Sequence, residues 1–336
     1  MKKYIVTVIF AITVIWLSHV INFRLFNLDL MRLMKNALFH LKVDHYAEQN
    51  IVLFNIGRLE PGELRYKIDS LLLTEPAMIG VNLCHFDKPF KHLVQNYKSD
   101  GRVVFASCDE LGHGSPGQIL TYDNIITHFR TQKPDYFEQK LTGFKGRGNT
   151  TERINFILSP LNKVELKRPL TDWVNSDYLK DKIILLGYMG DYITEEIEYY
   201  RNCRITPVNS EYGQNGISPD MYDIEISAHI VRTIIDNDFI NEVHDVLRVL
   251  VILMFSLLNV AVLTYCRTRW LIVNLSIAAL LFTVLNIAGS MLVFYMFQWG
   301  YFLELDELSL ILVITTVFTV ILNISKKRVD TRQRST

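Results

Sequence analysis

The residues best spaced for chemistry lie between 220 and 240. Glu225, His229, Arg232 and Asp236 follow one another at i, i+4, i+7 and i+11, which puts all four on one face of a helix. Ile224, Ala228, Val231 and Ile235 make the opposing apolar face, suited to packing on a sheet. A carboxylate beside a histidine favours the imidazolium and raises its pKa, so the spacing allows a pH-sensitive pair. The plainer reading is a solvated face with modest ion pairs, each worth roughly 0.3–0.5 kcal/mol. Sequence alone leaves both open.

A second group lies just past the ends of apolar runs that read as strands. Arg58, His85, Asp87, Asp109 and Asp191 occupy such positions, and open parallel sheets bind ligands at their carboxyl edge. Arg58, His85, Asp87 and Asp191, with Glu225 and His229, are the candidate ligand-binding residues. Cys84, His85, Cys108 and His113 are zinc-ligand types, but the pair spacings of a zinc site are missing. Cys84 and Cys108 each close a strand and are candidates for a disulfide; the alternative is two buried apolar thiols. Gly112 to Gly117 spells G-x-G-x-x-G. It follows a third strand rather than a first and contains Pro116, so it reads as a loop and not a dinucleotide fingerprint. No nucleophile elbow, zincin motif or phosphate-binding lysine loop occurs. The expectation is a protein that is not an enzyme and needs no cofactor.

The elements that must position these residues alternate in type. Ile51 to Ile56, Ile79 to Cys84, Arg102 to Ser107 and Lys182 to Leu186 are apolar runs suited to strands buried on both faces. Leu64, Ile68, Leu71 and Leu72 recur at helical spacing. Pro89 opens a short helix through Leu93 and Tyr97, Trp173 to Leu179 reads as helical, and a longer helix spans Tyr222 to Asp236. Ile154, Phe156 and Leu158 alternate like a half-exposed strand near an edge. Residues 109–150 and 188–221 read as long loops. The pattern implies an α/β domain with a mostly parallel sheet and helices on both faces.

Hydrophobic segments flank that domain. The reading divides the chain into a signal-anchor transmembrane helix at 1–22, an outer domain at 23–245, membrane helices at 246–266, 270–297 and 308–325, and a basic tail at 326–336. Lys2, Lys3, Arg267, Arg269 and the basic residues from Lys326 to Arg334 mark the cytoplasmic ends. Glu304, Asp306 and Glu307 occupy the opposite loop. The expectation is a multi-pass inner-membrane protein with both termini in the cytoplasm and the large domain outside it. Mid-depth Asp, Glu, Lys and His are missing from these spans, which argues against a transporter or channel. Asn259, Asn274, Asn286 and Asn323 are placed to hydrogen-bond between membrane helices, at about 1 kcal/mol each. Lipid is thus an implied partner. A formal net charge of zero gives no reason to expect nucleic acid.

One succession of residues is more specific. Lys182-Ile183-Ile184-Leu185-Leu186-Gly187 is followed by Thr206-Pro207, then Asp220-Met221-Tyr222, then the helix start Ile224-Glu225-Ile226-Ser227-Ala228-His229. With an N-terminal anchor and three following membrane helices, this resembles the CHASE type 2 domain, an extracytoplasmic sensory module of bacterial receptors. Asp223 stands where that family has glycine, Ser227 where it has histidine and His229 where it has asparagine, which puts any shared role of those two side chains in doubt. Such receptors usually continue into a cytoplasmic cyclase or kinase, so the chain resembles the sensory half. The resemblance implies a sensor that signals to a separate, unidentified cytoplasmic protein. Relay across a bilayer suits a homodimer. The alternative is a docking subunit of an envelope complex with no ligand.

Overall fold

The computed structural model describes residues 38–39, 50–84, 90–106, 116–120, 125–131, 136–156, 161–166, 177–190, 203–209, 218–266, 271–305 and 308–333. The chain divides into two units, Arg32–Ile240 and Met1–Met31 with Asn241–Thr336.

The first unit is α/β. Its strands and helices run β1 (Ile51–Asn55), α1 (Pro61–Leu72), β2 (Met78–Asn82), α2 (Lys91–Asn96), β3 (Val103–Ala106), β4 (Gln118–Leu120), β5 (Ile126–Arg130), α3 (Phe137–Thr142), β6 (Thr151–Arg153), β7 (Asn162–Glu165), β8 (Ile183–Gly187), β9 (Cys203–Arg204), β10 (Met221–Tyr222) and α4 (Asp223–Ile235). A five-stranded parallel sheet has the order β3-β2-β8-β1-β7. β8 pairs with β1 on one side and β2 on the other, although it follows them by about a hundred residues.

The two faces of this sheet are separate cores. Alternate residues of each strand point to opposite faces. Val52, Phe54, Ile79, Val81, Ile184 and Leu186 meet Leu64, Ile68 and Leu71 of α1 and Leu93 of α2. Ile51, Leu53, Ile183 and Leu185 meet Phe137 and Leu141 of α3 and Ile224, Ala228 and Val231 of α4. The sheet is therefore covered by helices on both faces. α1 begins with Pro61 in its first turn, where a missing N–H costs nothing, and Glu63 accepts the Glu60 N–H at 3.4 Å. α4 lies hard against the central strand: a Cβ on Gly187 would come within 2.6 Å of Ile224 Cβ.

Several sequence expectations are corrected here. β6 ends at Arg153, and Ile154 and Phe156 are buried side chains beyond it rather than an exposed edge strand. Among the described residues the edge strands are β3, paired with β2, and β7, paired with β1. Residues 109–150 are not one long loop, because β4, β5 and β6 form a three-stranded antiparallel sheet. Their short, polar sequences show no alternation strong enough to read. Between Trp173 and Leu179 the described part is a single 3-10 turn, Asp177–Leu179.

The second unit holds β11 (Asn241–Glu242), α5 (Asp245–Tyr265), α6 (Leu271–Gln298), β12 (Tyr301–Phe302) and α7 (Leu308–Gln333). α5 and α6 are long and apolar enough to cross a membrane; the apolar part of α7, Leu308–Leu322, is shorter. The expected segment at 1–22 lies outside the described residues. Only 33% and 22% of the apolar windows of α5 and α6 are buried, whereas a core helix of a soluble domain is mostly covered. Leu250, Met254, Leu258, Leu280, Ile287 and Met291 face outward. Inside sit Ser256, Asn259, Thr315 and Thr319. Asn259 Nδ2 donates to Thr315 Oγ1 at 3.1 Å, Thr316 Oγ1 at 2.9 Å and the Leu312 carbonyl at 3.3 Å. Ser309 Oγ donates to Asn286 Oδ1 at 2.6 Å. Apolar outside and polar inside is the arrangement expected of helices solvated by lipid. β11 and β12 pair in parallel, and the Asn241 and Val243 N–H groups bond to Gly300 and Phe302 carbonyls.

Candidate functional site

α4 carries the densest set of buried polar groups in the α/β unit. Asp223, Glu225, Ser227, His229 and Thr233 are all buried on one thirteen-residue helix. Burying a polar group without a partner is costly, so the partners define what the site is. Glu225 accepts the Tyr222 N–H at 2.9 Å, closing the first turn, and pairs with Lys163 of β7. Arg204 Nε donates to Asp223 Oδ1 at 3.0 Å. Ser227 Oγ donates to Glu138 Oε1 at 2.6 Å, and the Gly117 N–H donates to Glu138 Oε2 at 2.9 Å. Gln118 Nε2 reaches the Asp223 carbonyl at 2.7 Å. At the other end, Thr233 Oγ1 accepts the Asn155 N–H at 3.1 Å, and Asn155 Nδ2 donates to Asp238. α4 is thus gripped at both ends by groups that lie far away in sequence.

The electrostatics follow from burial. Desolvation pushes Glu138 above the ordinary carboxylate range, against the donors from Ser227 and Gly117. Asp220, just before α4, accepts from Thr206 N–H at 2.7 Å and Thr206 Oγ1 at 2.5 Å, yet burial raises it to about 6. His229 goes the other way. Burial, with Arg232 and Lys163 nearby, lowers it to about 3. Its ring lies 5.3 Å from that of Phe156, and Nδ1 has no hydrogen-bond partner.

This corrects the reading of the 225–236 face. Glu225 and His229 are buried while Asp236 at the far end stays exposed, and His229 is not a carboxylate-paired imidazolium. Glu225 turns to Lys163 and to its own helix start, while Arg232 pairs with Asp236 at 3.2 Å. Helical spacing brings these four to one side, but burial under the packed layer opposite is what lowers the pKa of His229.

The carboxyl edge of the sheet is organised by two asparagines. Register places Asn82, Gly187 and Asn55 in one row across β2, β8 and β1. Asn55 is fully buried; its Nδ2 donates to the Gly190 carbonyl at 3.0 Å while Oδ1 accepts the Gly57 and Met189 N–H groups. It ties the turns after β1 and β8 together. Gly57 and Gly190 have φ of +51° and +87°, a region that disfavours side chains. Asn82 Oδ1 accepts the Cys84 N–H at 3.0 Å. The chain leaves β1 and β2 toward α1 and α2, but leaves β8 toward α4 on the opposite face. Both flanks of β8 are therefore points where the connections diverge, where open sheets present a crevice.

Of the candidate residues, Arg58 is exposed beside this edge. His85, Asp87 and Asp191, and also Cys108 and Asp109, lie outside the described residues. Cys84 is disulfide-bonded, and Cys203 and Cys266 are not in a disulfide. A sulfur in a disulfide is no thiolate ligand, which removes Cys84 from the zinc set. Among the described residues no group of three or more His, Cys, Asp or Glu is arranged to hold a metal. Asn274 lies in α6, and the side chain of Asn323 is outside the described set. Sequence reasoning missed Glu138, Gln118, Lys163, Arg204, Thr206 and Asp220. The local signals among them were Thr206-Pro207 and Asp220-Met221-Tyr222, singled out only through the family resemblance.

No protein-family model, no curated protein and no solved structure matches the chain. The resemblance to the CHASE type 2 domain rests on the residues quoted above.

Proposed function

We propose that this chain is a membrane-bound sensor of the CHASE type 2 kind. Its α/β domain lies outside the cytoplasm, and its membrane helices relay a signal to a separate cytoplasmic protein. The observation that carries the reading is the place of α4. It packs on the central strand β8 at Gly187, beside the ligand-type edge of the sheet, and nine residues after its end the first membrane-type helix begins. The disulfide at Cys84 suits an oxidising, extracytoplasmic compartment. The inside-out bundle suits four membrane helices with Lys and Arg at their cytoplasmic ends. Signalling is then a population shift between two arrangements of domain and bundle, driven by a ligand's differential affinity.

In-cell crosslinking with mass spectrometry tests this, with the tail from Lys326 to Thr336 intact or deleted. Tail-dependent capture of a cytoplasmic enzyme is the expected result. Capture of envelope proteins alone, unchanged by the deletion, replaces the sensor with a docking subunit.

A further inference from the structure

The acidic groups at the foot of α4 are not equivalent. Glu225 faces Lys163, and Asp223 faces Arg204. Among the described residues no ion pair reaches Asp220. Its partners are uncharged: the Thr206 N–H, the Thr206 hydroxyl and the Asn209 amide. Around it the chain is drawn together by the β9–β10 pairing, the Asp220 N–H to the Arg204 carbonyl at 2.9 Å, and Asn209 Nδ2 to the Ser218 carbonyl at 2.7 Å. Thr206 and Asn209 are buried. The result is a clasp that joins residues 203–209 to residues 218–222, immediately ahead of α4.

We infer that Asp220 is a proton-operated latch on this clasp, so that the stimulus the domain reads is the proton. In the neutral form the carboxyl hydrogen is shared with Thr206 Oγ1, while the second oxygen keeps the Thr206 N–H. Loss of that proton to water leaves a largely buried charge with no cation paired to it among the described residues. The clasp then loosens, and α4 loses the support before its first turn. This rests on the sensing reading for its consequence and names the stimulus.

The sign follows from burial. Asp220 is raised from its ordinary value to about 6, so its proton stabilises the closed clasp at low pH. That contribution is lost as pH rises through about 6. The closed-to-open ratio falls about ten-fold between about pH 5 and about pH 7.5. Other charged groups around α4 behave differently. Asp223 and Glu225 face the cations Arg204 and Lys163, and His229 stays neutral down to about 3. Glu138 is also raised by burial and is the competing proton site.

Hydrogen exchange on the full chain in lipid nanodiscs, corrected for intrinsic rates, tests the latch at those two pH values. Peptides covering 203–209 and 218–222 should be about ten-fold better protected at the lower pH, with β1 and β8 unchanged. Asp220→Asn should abolish the difference. Thr206→Val, which removes the hydroxyl donor, should move the midpoint upward and decides the matter if the asparagine variant does not fold. Equal protection at both pH values in the wild type overturns the latch, as does a response retained by Asp220→Asn, which assigns the proton to Glu138. An unmoved midpoint in Thr206→Val overturns it too. A latch that works, in cells where crosslinking captures no output protein, leaves this inference standing and removes the sensing reading.

Discussion

The two helical layers on the parallel sheet are built by different rules. α1 buries Leu64, Ile68 and Leu71 and keeps its charges outside, where Arg65 and Asp69 make an exposed pair at 3.9 Å. α4 buries three aliphatic side chains against the same sheet, but also two carboxylates, two hydroxyls and an imidazole on its other sides. Aliphatic burial is non-directional and insensitive to pH. A helix held by partnered polar groups depends on each partner's protonation state and geometry. The first layer is suited only to holding the sheet. The second is the one that chemistry can move.

The largest effect that would sharpen this contrast is overpacking beneath α4. Gly187→Val places atoms where Ile224 already sits and should cost about 3 kcal/mol or more, read as a fall in the thermal midpoint of the detergent-solubilised chain. In the opposite layer, Ile68→Ala should cost about 2–5 kcal/mol, by the same amount at every pH. A strong pH dependence there would break the comparison.

The polar layer should answer to pH in both directions. His229 is held well below its ordinary value, so the stability it leaves intact above about pH 6.5 is lost as pH falls toward about 3. His229→Leu should therefore match the wild type near pH 7.5 and exceed it by about 2–3 kcal/mol near pH 4.5. Glu138 has the reverse sign. Burial raises its pKa, so the stability its proton gives is present in acid and lost as pH rises, and the stability of Glu138→Gln relative to the wild type should rise with pH. The smallest effect belongs to α1: Arg65→Ala should change stability by less than about 0.5 kcal/mol. A larger loss would mean that Arg65 holds Asp69 in place for the Tyr97 hydroxyl, which donates to Asp69 Oδ1 at 2.6 Å.

What could be read from the sequence depended on whether the information was local. β1, β2 and β8 are visible as apolar runs because both of their faces are buried. β4 to β6 are not, since the short segments Gln118–Leu120 and Thr151–Arg153 each pair with β5, outside the five-stranded sheet. The same limit applies to the site. Glu225 and His229 share a side of α4 as their spacing requires, yet Glu225 meets Lys163 of β7, the His229 ring lies beside Phe156, and Ser227 meets Glu138 across 89 positions. Periodicity reports neighbours along a helix and is silent about the layer laid over it. In α5 the buried Asn259 stands out as an amide in an apolar run, but the three acceptors around its Nδ2 come from α7.

The parallel pairing of β11 with β12 has a mechanical consequence. Residues 241–242 lead into α5, and residues 301–302 connect α6 to α7. Their main-chain bonds act as a yoke. A pull arriving along the chain at Asn241 loads the α6–α7 turn as well as α5, so the pull is shared among three helices instead of drawing one of them out alone. A yoke of this kind converts a tug on a single strand into a torque on a bundle.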